Sequence, residues 1–77
     1  MSDEAFVMEL NNYCQENGLL IQWAEAQAGP QHALSWTVTV SLRGVEYGRG
    51  TARSKKNAKE LAAEMALRAL KGQSTAA

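Results

Sequence analysis

Over residues 35–42 apolar and polar positions alternate strictly: Trp36, Val38, Val40 and Leu42 against Ser35, Thr37, Thr39 and Ser41. A period of two puts the four apolar side chains on one face, which predicts a half-buried strand whose hydroxyl-bearing face is wet. Arg43-Gly44 supplies a tight turn, and Val45, Glu46 and Tyr47 begin a partner strand expected to end near Gly48 and Gly50. Upstream, Ile21 and Trp23 alternate with Gln22 and predict a weaker strand over residues 21–27, because Ala24, Ala26 and Ala28 have little β preference. Residues 28–32 read as a loop.

Helical spacing brackets these strands. Phe6, Leu10 and Tyr13 mark a core-facing stripe, with Cys14 at its margin, on a helix over residues 3–17. Ser2 or Asp3 would cap it, Asp3 and Glu4 suit its positive end, and Gly18 would stop it. Ser54 would cap a second helix whose apolar side carries Ala58, Leu61, Ala62, Met65, Ala66 and Ala69, with Gly72 as its stop. The order predicts an α+β fold, α-β-β-β-α: a three-stranded antiparallel sheet with both helices packed on one face. One domain over residues 1–72 and a flexible tail over 73–77 are expected. Trp36, in register with Val38 and Val40, is expected in the core, and Trp23 with less reason.

Composition narrows the classes. Seventy-seven residues, 45% apolar, suffice for one small core and not two. The apolar runs are too short to cross a bilayer, and the acidic Asp3 and Glu4 do not suit a secretory signal, so neither is expected. A single cysteine, Cys14, and a single histidine, His32, cannot form an intramolecular disulfide or a Cys/His metal cluster. An intracellular home, cytoplasmic or nuclear, follows as the default.

Net charge is zero, which at face value points away from nucleic acid. The sum conceals its distribution. The first 42 residues hold five acids and no Lys or Arg, leaving −5; the remaining residues hold eight basic residues against three acids, leaving +5. Residues 49–59 contain five basic residues and no acid. A solvated helix start would account for such a run equally well.

Three segments are candidates for chemistry. Arg53-Ser54-Lys55-Lys56-Asn57-Ala58-Lys59 places cations in the first turn of a helix, the end where acids are favoured and each lysine costs a few tenths of a kcal/mol. At 100° per residue Lys55, Lys56 and Lys59 lie within about 100° of arc, so three ammonium groups can face one line of phosphates. On the first helix the face opposite Phe6, Leu10 and Tyr13 carries Met8, Asn11, Asn12 and Gln15 without a charge, and amides can meet the hydroxyls and base edges of a shallow groove. Gly29-Pro30-Gln31-His32 is a kinked loop with one imidazole, which a plain hairpin turn would also explain.

Taken together, Gly29-Pro30-x-His32-x-x-x-Trp36 and Ser54-Lys55-Lys56-x-Ala58-Lys59-x-x-Ala62-Ala63 resemble the signature of the double-stranded RNA-binding domain, over residues 4–71. The resemblance implies the same α-β-β-β-α fold. It implies that Met8, Asn11 and Asn12 enter one minor groove of an RNA duplex and that Pro30, Gln31 and His32 enter the next. It further implies that Arg53, Lys55, Lys56 and Lys59 bridge the phosphates between, over about 16 base pairs of A-form shape. Within the family, Phe6-x-x-x-Leu10-Asn11-x-Tyr13 and Gly44-x-Glu46-Tyr47 are most similar to the regulatory domains of the interferon-induced, double-stranded-RNA-activated protein kinases. Three positions depart from the usual pattern. Asn12 stands where Glu is common, Ala52 where Gly is common, and Trp36 where Phe is usual, the last expected to change packing only.

The implied function is non-catalytic: a module that brings a larger protein to double-stranded RNA. No cofactor, no metal and no small-molecule substrate is expected. The alternative is a protein-interaction or dimerisation copy of the fold that binds RNA weakly, which zero net charge and the alanine-rich first strand favour. An RNA-recognition-motif sheet with exposed aromatics does not fit two helices flanking three strands.

Overall fold

The structure, a computed structural model, describes residues 4–75. Its elements are α1 (Ala5–Glu16), β1 (Ile21–Ala28), a single 3-10 turn (Gln31–Ala33), β2 (Ser35–Leu42), β3 (Val45–Ala52) and α2 (Lys55–Thr75). The sheet is antiparallel in the order β1-β2-β3. This is the α-β-β-β-α arrangement expected from the pattern, and β2 matches it residue for residue. No helix among the described residues is long and apolar enough to cross a membrane.

Paired residues of a sheet point to the same face, so the register lays out the surface on which the helices rest. Two of its rows run Trp23, Val40, Gly48 and Glu25, Val38, Gly50 from β1 across to β3. Side-chain bulk thus falls to nothing on β3, and α2 settles there. A Cβ on Gly50 would meet the Ala58 carbonyl, lie 2.6 Å from Leu61 Cβ and 2.7 Å from the Ala62 nitrogen, while one on Gly48 would collide with the Ala62 carbonyl. The two glycines were expected to end β3. They instead continue it to Ala52, because the approach of the α2 backbone leaves no room for a side chain. An extra residue of β3, Tyr47, bulges between the pairs Val40–Gly48 and Ser41–Glu46.

The opposite face is wet as expected, with Thr37 and Thr51 sharing a 3.0 Å hydroxyl contact across the strands. Arg43 and Gly44 form the predicted two-residue turn, both at positive φ.

The buried faces of both helices are rotated from the expected stripes. On α2 the buried residues are Ala58, Ala62, Ala63, Ala66, Leu67 and Leu70, whereas Leu61 and Met65 are 45% and 51% exposed. The arc is wider because α2 is covered twice, by the sheet and by α1; Leu67 borders Met8 and Tyr13 of α1. On α1 the buried residues are Val7, Leu10 and Cys14, while Phe6 is exposed and Tyr13 half-buried. The smaller side chains of α1 join the alanine-lined core, and the aromatic ones stay at its margin. Burial pushes the Cys14 thiol pKa up, which keeps it protonated and inert.

Helix ends also differ in part. The proposed caps Ser2 and Asp3 lie outside the described residues. The N–H groups of Phe6 and Val7 donate instead to the two carboxylate oxygens of Glu60, at 2.8 and 3.0 Å. An acid on α2 therefore satisfies the positive end of α1 from 53 and 54 residues away. Gly18 stops α1 as expected, with the Leu19 N–H returning to the Cys14 carbonyl at 2.8 Å. Ser54 caps α2, its Oγ accepting from the Asn57 N–H at 3.1 Å. Gly72 does not end α2, which continues helically to Thr75 into the expected tail.

Candidate nucleic-acid interface

The pairing of Trp36 with Ala52 brings two distant segments to one end of the sheet: the loop between β1 and β2, and the Arg53-Ser54 step into α2. The loop has a definite shape. Gly29 sits at φ 93°, and a Cβ there would lie 2.7 Å from the Ala33 carbonyl oxygen, so the chain can turn only with glycine. Pro30 is extended at φ −72°, and its carbonyl accepts from the Ala33 N–H at 2.9 Å, closing the short turn that carries Gln31 and His32. All four residues of Gly29-Pro30-Gln31-His32 are exposed, and the His32 side chain has no partner among the described residues.

At the start of α2 each lysine has an internal companion. Lys55 Nζ lies 3.6 Å from a carboxylate oxygen of Glu25 and 5.3 Å from the ring centroid of Trp36. Lys56 Nζ lies 3.9 Å from Glu4, and Lys59 Nζ stands 4.8 Å from the ring of Trp23. The three lysines line one shallow depression with Glu4, Val7 and Glu25. Arg53 is exposed and has no carboxylate partner among the described residues. Surface pairs of this kind contribute about 0–1 kcal/mol each, so a phosphate can replace the carboxylates at little cost.

Met8, Asn11 and Asn12 project from α1 into solvent. Met8 and Asn12 share a groove with Glu9, Tyr13, Leu67 and Lys71, in which Lys71 bonds Glu9 at 2.9 Å. The face that reads as uncharged thus has an ion pair at its edge, between Glu9 of α1 itself and Lys71 from the far end of α2. The structure brings Lys55, Lys56 and Lys59 into one cluster toward the end of the sheet from which the loop leaves, and places Met8 and Asn12 in a second groove on the α1 side.

Sequence reasoning missed the partners of the lysines. Trp36, expected to be a packing change only, carries Lys55 as well; Trp23 carries Lys59. The split of charge into an acidic and a basic part was the available signal for Glu4 and Glu25, since the fold folds one part onto the other. Among the described residues no group of three or more His, Cys, Asp or Glu could hold a metal ion.

Comparison with known proteins bears on this surface. The family described as "Double-stranded RNA binding motif" matches residues 6–70. The structure of Arabidopsis HYL1, whose title refers to miRNA processing, is 34% identical with a TM-score of 0.77, over 87% of this chain and 97% of that one. Ribonuclease 3 of Streptomyces coelicolor is 40% identical over 50 residues, 65% of this chain and 18% of that protein. Ribonuclease 3 of Anoxybacillus flavithermus is 39% identical over 71 residues, 84% of this chain and 30% of that protein. The chain spans less than a third of the length of these curated relatives.

Proposed function

The chain belongs to the double-stranded RNA-binding motif family, and from that premise we propose that it reads A-form RNA by shape and delivers a larger protein to it. The observation that carries the proposal is the cluster of Lys55, Lys56 and Lys59 at the mouth of α2, against the helix-end rule and toward the end of the sheet from which an exposed Pro30-Gln31-His32 turn leaves. In this reading the lysines and Arg53 meet phosphates across the major groove. Met8, Asn11 and Asn12 enter one flanking minor groove, and Pro30, Gln31 and His32 the other, where 2′-hydroxyls distinguish RNA from DNA. The module is non-catalytic; any chemistry belongs to other parts of its protein. The reading includes an intracellular home, which the single buried thiol of Cys14 suits. It also keeps the nearer likeness to the RNA-activated kinases as an expectation, carried by Phe6, Leu10, Asn11 and Tyr13.

A salt titration against RNA and DNA duplexes of about 20 base pairs tests it. The expected result is tighter binding to RNA, with log K falling linearly in log salt as counterions are released. Equal affinity for both duplexes would sink shape reading. The second reading, a protein-contact copy, draws on Leu61 and Met65, exposed beside Arg49 and Thr51 of the edge strand β3. It requires self-association by sedimentation together with salt-insensitive, weak RNA binding.

A further inference from the structure

Each tryptophan of the chain lies beneath one of the lysines just assigned to phosphate. The register explains the stacking. Trp23 and Trp36 stand on the helix-facing side of β1 and β2, whereas the bare glycines that seat α2 are on β3. A helix seated on β3 carries the lysine-bearing flank of its first turns out over the two indoles. Lys59 Nζ is 4.8 Å from the Trp23 centroid and Lys55 Nζ 5.3 Å from that of Trp36, both within the roughly 6 Å reach of a cation over a ring face. No carboxylate among the described residues pairs with Lys59, so the indole is its companion.

We propose that Trp23 and Trp36 are positioning residues for RNA: their ring faces hold Lys59 and Lys55 in place before a phosphate arrives. The proposal rests on the RNA reading above. A lysine has four rotatable side-chain bonds, and ordering them is a cost that binding must otherwise meet. Stacking meets part of it in advance. An indole differs here from a carboxylate, because Glu25 and Glu4 must give way when phosphate binds, whereas a neutral ring attracts the ammonium without competing for its outward N–H groups. Trp23 matters most, since Lys59 has no carboxylate partner among the described residues, whereas Lys55 has Glu25 at 3.6 Å as well as Trp36.

A double-mutant cycle on the intact chain tests this with Trp23→Leu, Trp23→Phe, Lys59→Met and the Trp23→Leu/Lys59→Met pair, each checked for folding by circular dichroism. Binding to an RNA duplex of about 20 base pairs is expected to weaken roughly threefold to fivefold in Trp23→Leu, with the salt slope unchanged, because the phosphate contact survives in a less ordered form. Trp23→Phe restores most of the affinity. In the Lys59→Met background, Trp23→Leu has no further effect. A Trp23→Leu loss of equal size with and without Lys59, or full affinity in a folded Trp23→Leu variant, overturns the proposal. A wild-type chain that prefers neither duplex overturns the RNA reading itself. The contact is also read without RNA: in a Trp36→Phe background, Lys59→Met should shift the emission of Trp23, and unchanged emission overturns the stacking.

Discussion

The same helix, α2, meets the rest of the molecule in two contrasting ways. Along its seam with β3 the contact is made close to the backbone, by Ala58, Ala62 and the Cβ of Leu61 against Gly48 and Gly50, with no flexible side-chain end between them. At its first turn the contacts are made by the ends of long, half-exposed side chains: Lys55 with Glu25 and Trp36, Lys56 with Glu4, Lys59 with Trp23. The seam fixes where the helix axis lies, and the rim can exchange partners without moving it. Rigid placement of the axis would let flexible cations face a constant line of phosphates, as the proposed function requires. In the proposed function, stability and binding thus fall to different residues of one element.

The seam offers the largest effect. Gly50→Ala puts a methyl group where the Ala58 carbonyl, Leu61 Cβ and the Ala62 nitrogen already lie, so the helix must rise or the strand bend. Overpacking of this kind costs about 3 kcal/mol, which in a chain of this size lowers Tm by roughly 15 °C. Thermal unfolding measures it, and a fall of only a degree or two would mean that the seam yields as readily as the rim.

How much of this was legible in the sequence depended on which physics spoke locally. The β2 alternation, the Arg43-Gly44 turn, the Ser54 cap and the Gly18 stop are local signals, and each stands where expected. Gly48 and Gly50 were misread because a glycine in a strand looks like an end until the partner above it is known. The helix stripes were misplaced for a related reason: Ala63, Leu67 and Leu70 are buried by the combined cover of sheet and α1, which a single-face periodicity does not contain. The candidate residues Met8, Pro30, His32, Lys55, Lys56 and Lys59 are legible as motifs. Their internal companions are not, since Glu25 lies 30 residues from Lys55 and Trp23 lies 36 from Lys59 in sequence, and only the fold brings them near.

Glu60 lies between the two regimes, a charged side chain of α2 with a structural task. Its carboxylate receives the Phe6 and Val7 N–H groups, so Glu60→Ala leaves the first turn of α1 without those acceptors. The expected loss is about 1–2 kcal/mol in urea unfolding, and about half that for Glu60→Gln, which retains one acceptor oxygen. Amide hydrogen exchange should quicken at Phe6 and Val7 and stay unchanged along the β3 seam. Equal quickening at both would join the two regions into one cooperative unit.

Lys56→Ala should show the opposite signature, with the smallest effect on stability and a clear one on binding. Among the described contacts, three small terms bear on stability. The pair with Glu4 is long at 3.9 Å, with both side chains about half exposed, and contributes little. A cation in the first turn opposes the helix dipole by a few tenths of a kcal/mol, and alanine has the higher helix propensity. The losses and gains nearly cancel, leaving stability within about 0.5 kcal/mol of the parent. Binding has no such cancellation, because one phosphate loses its cation: affinity for every RNA duplex should fall about tenfold regardless of sequence, and the salt slope should decrease by about one. Urea unfolding and a salt titration on the same preparation check both halves. A Lys56→Ala chain that lost 2 kcal/mol of stability, roughly the cost of a core or cap defect, would show that the rim supports the fold and that the division between seam and rim is wrong.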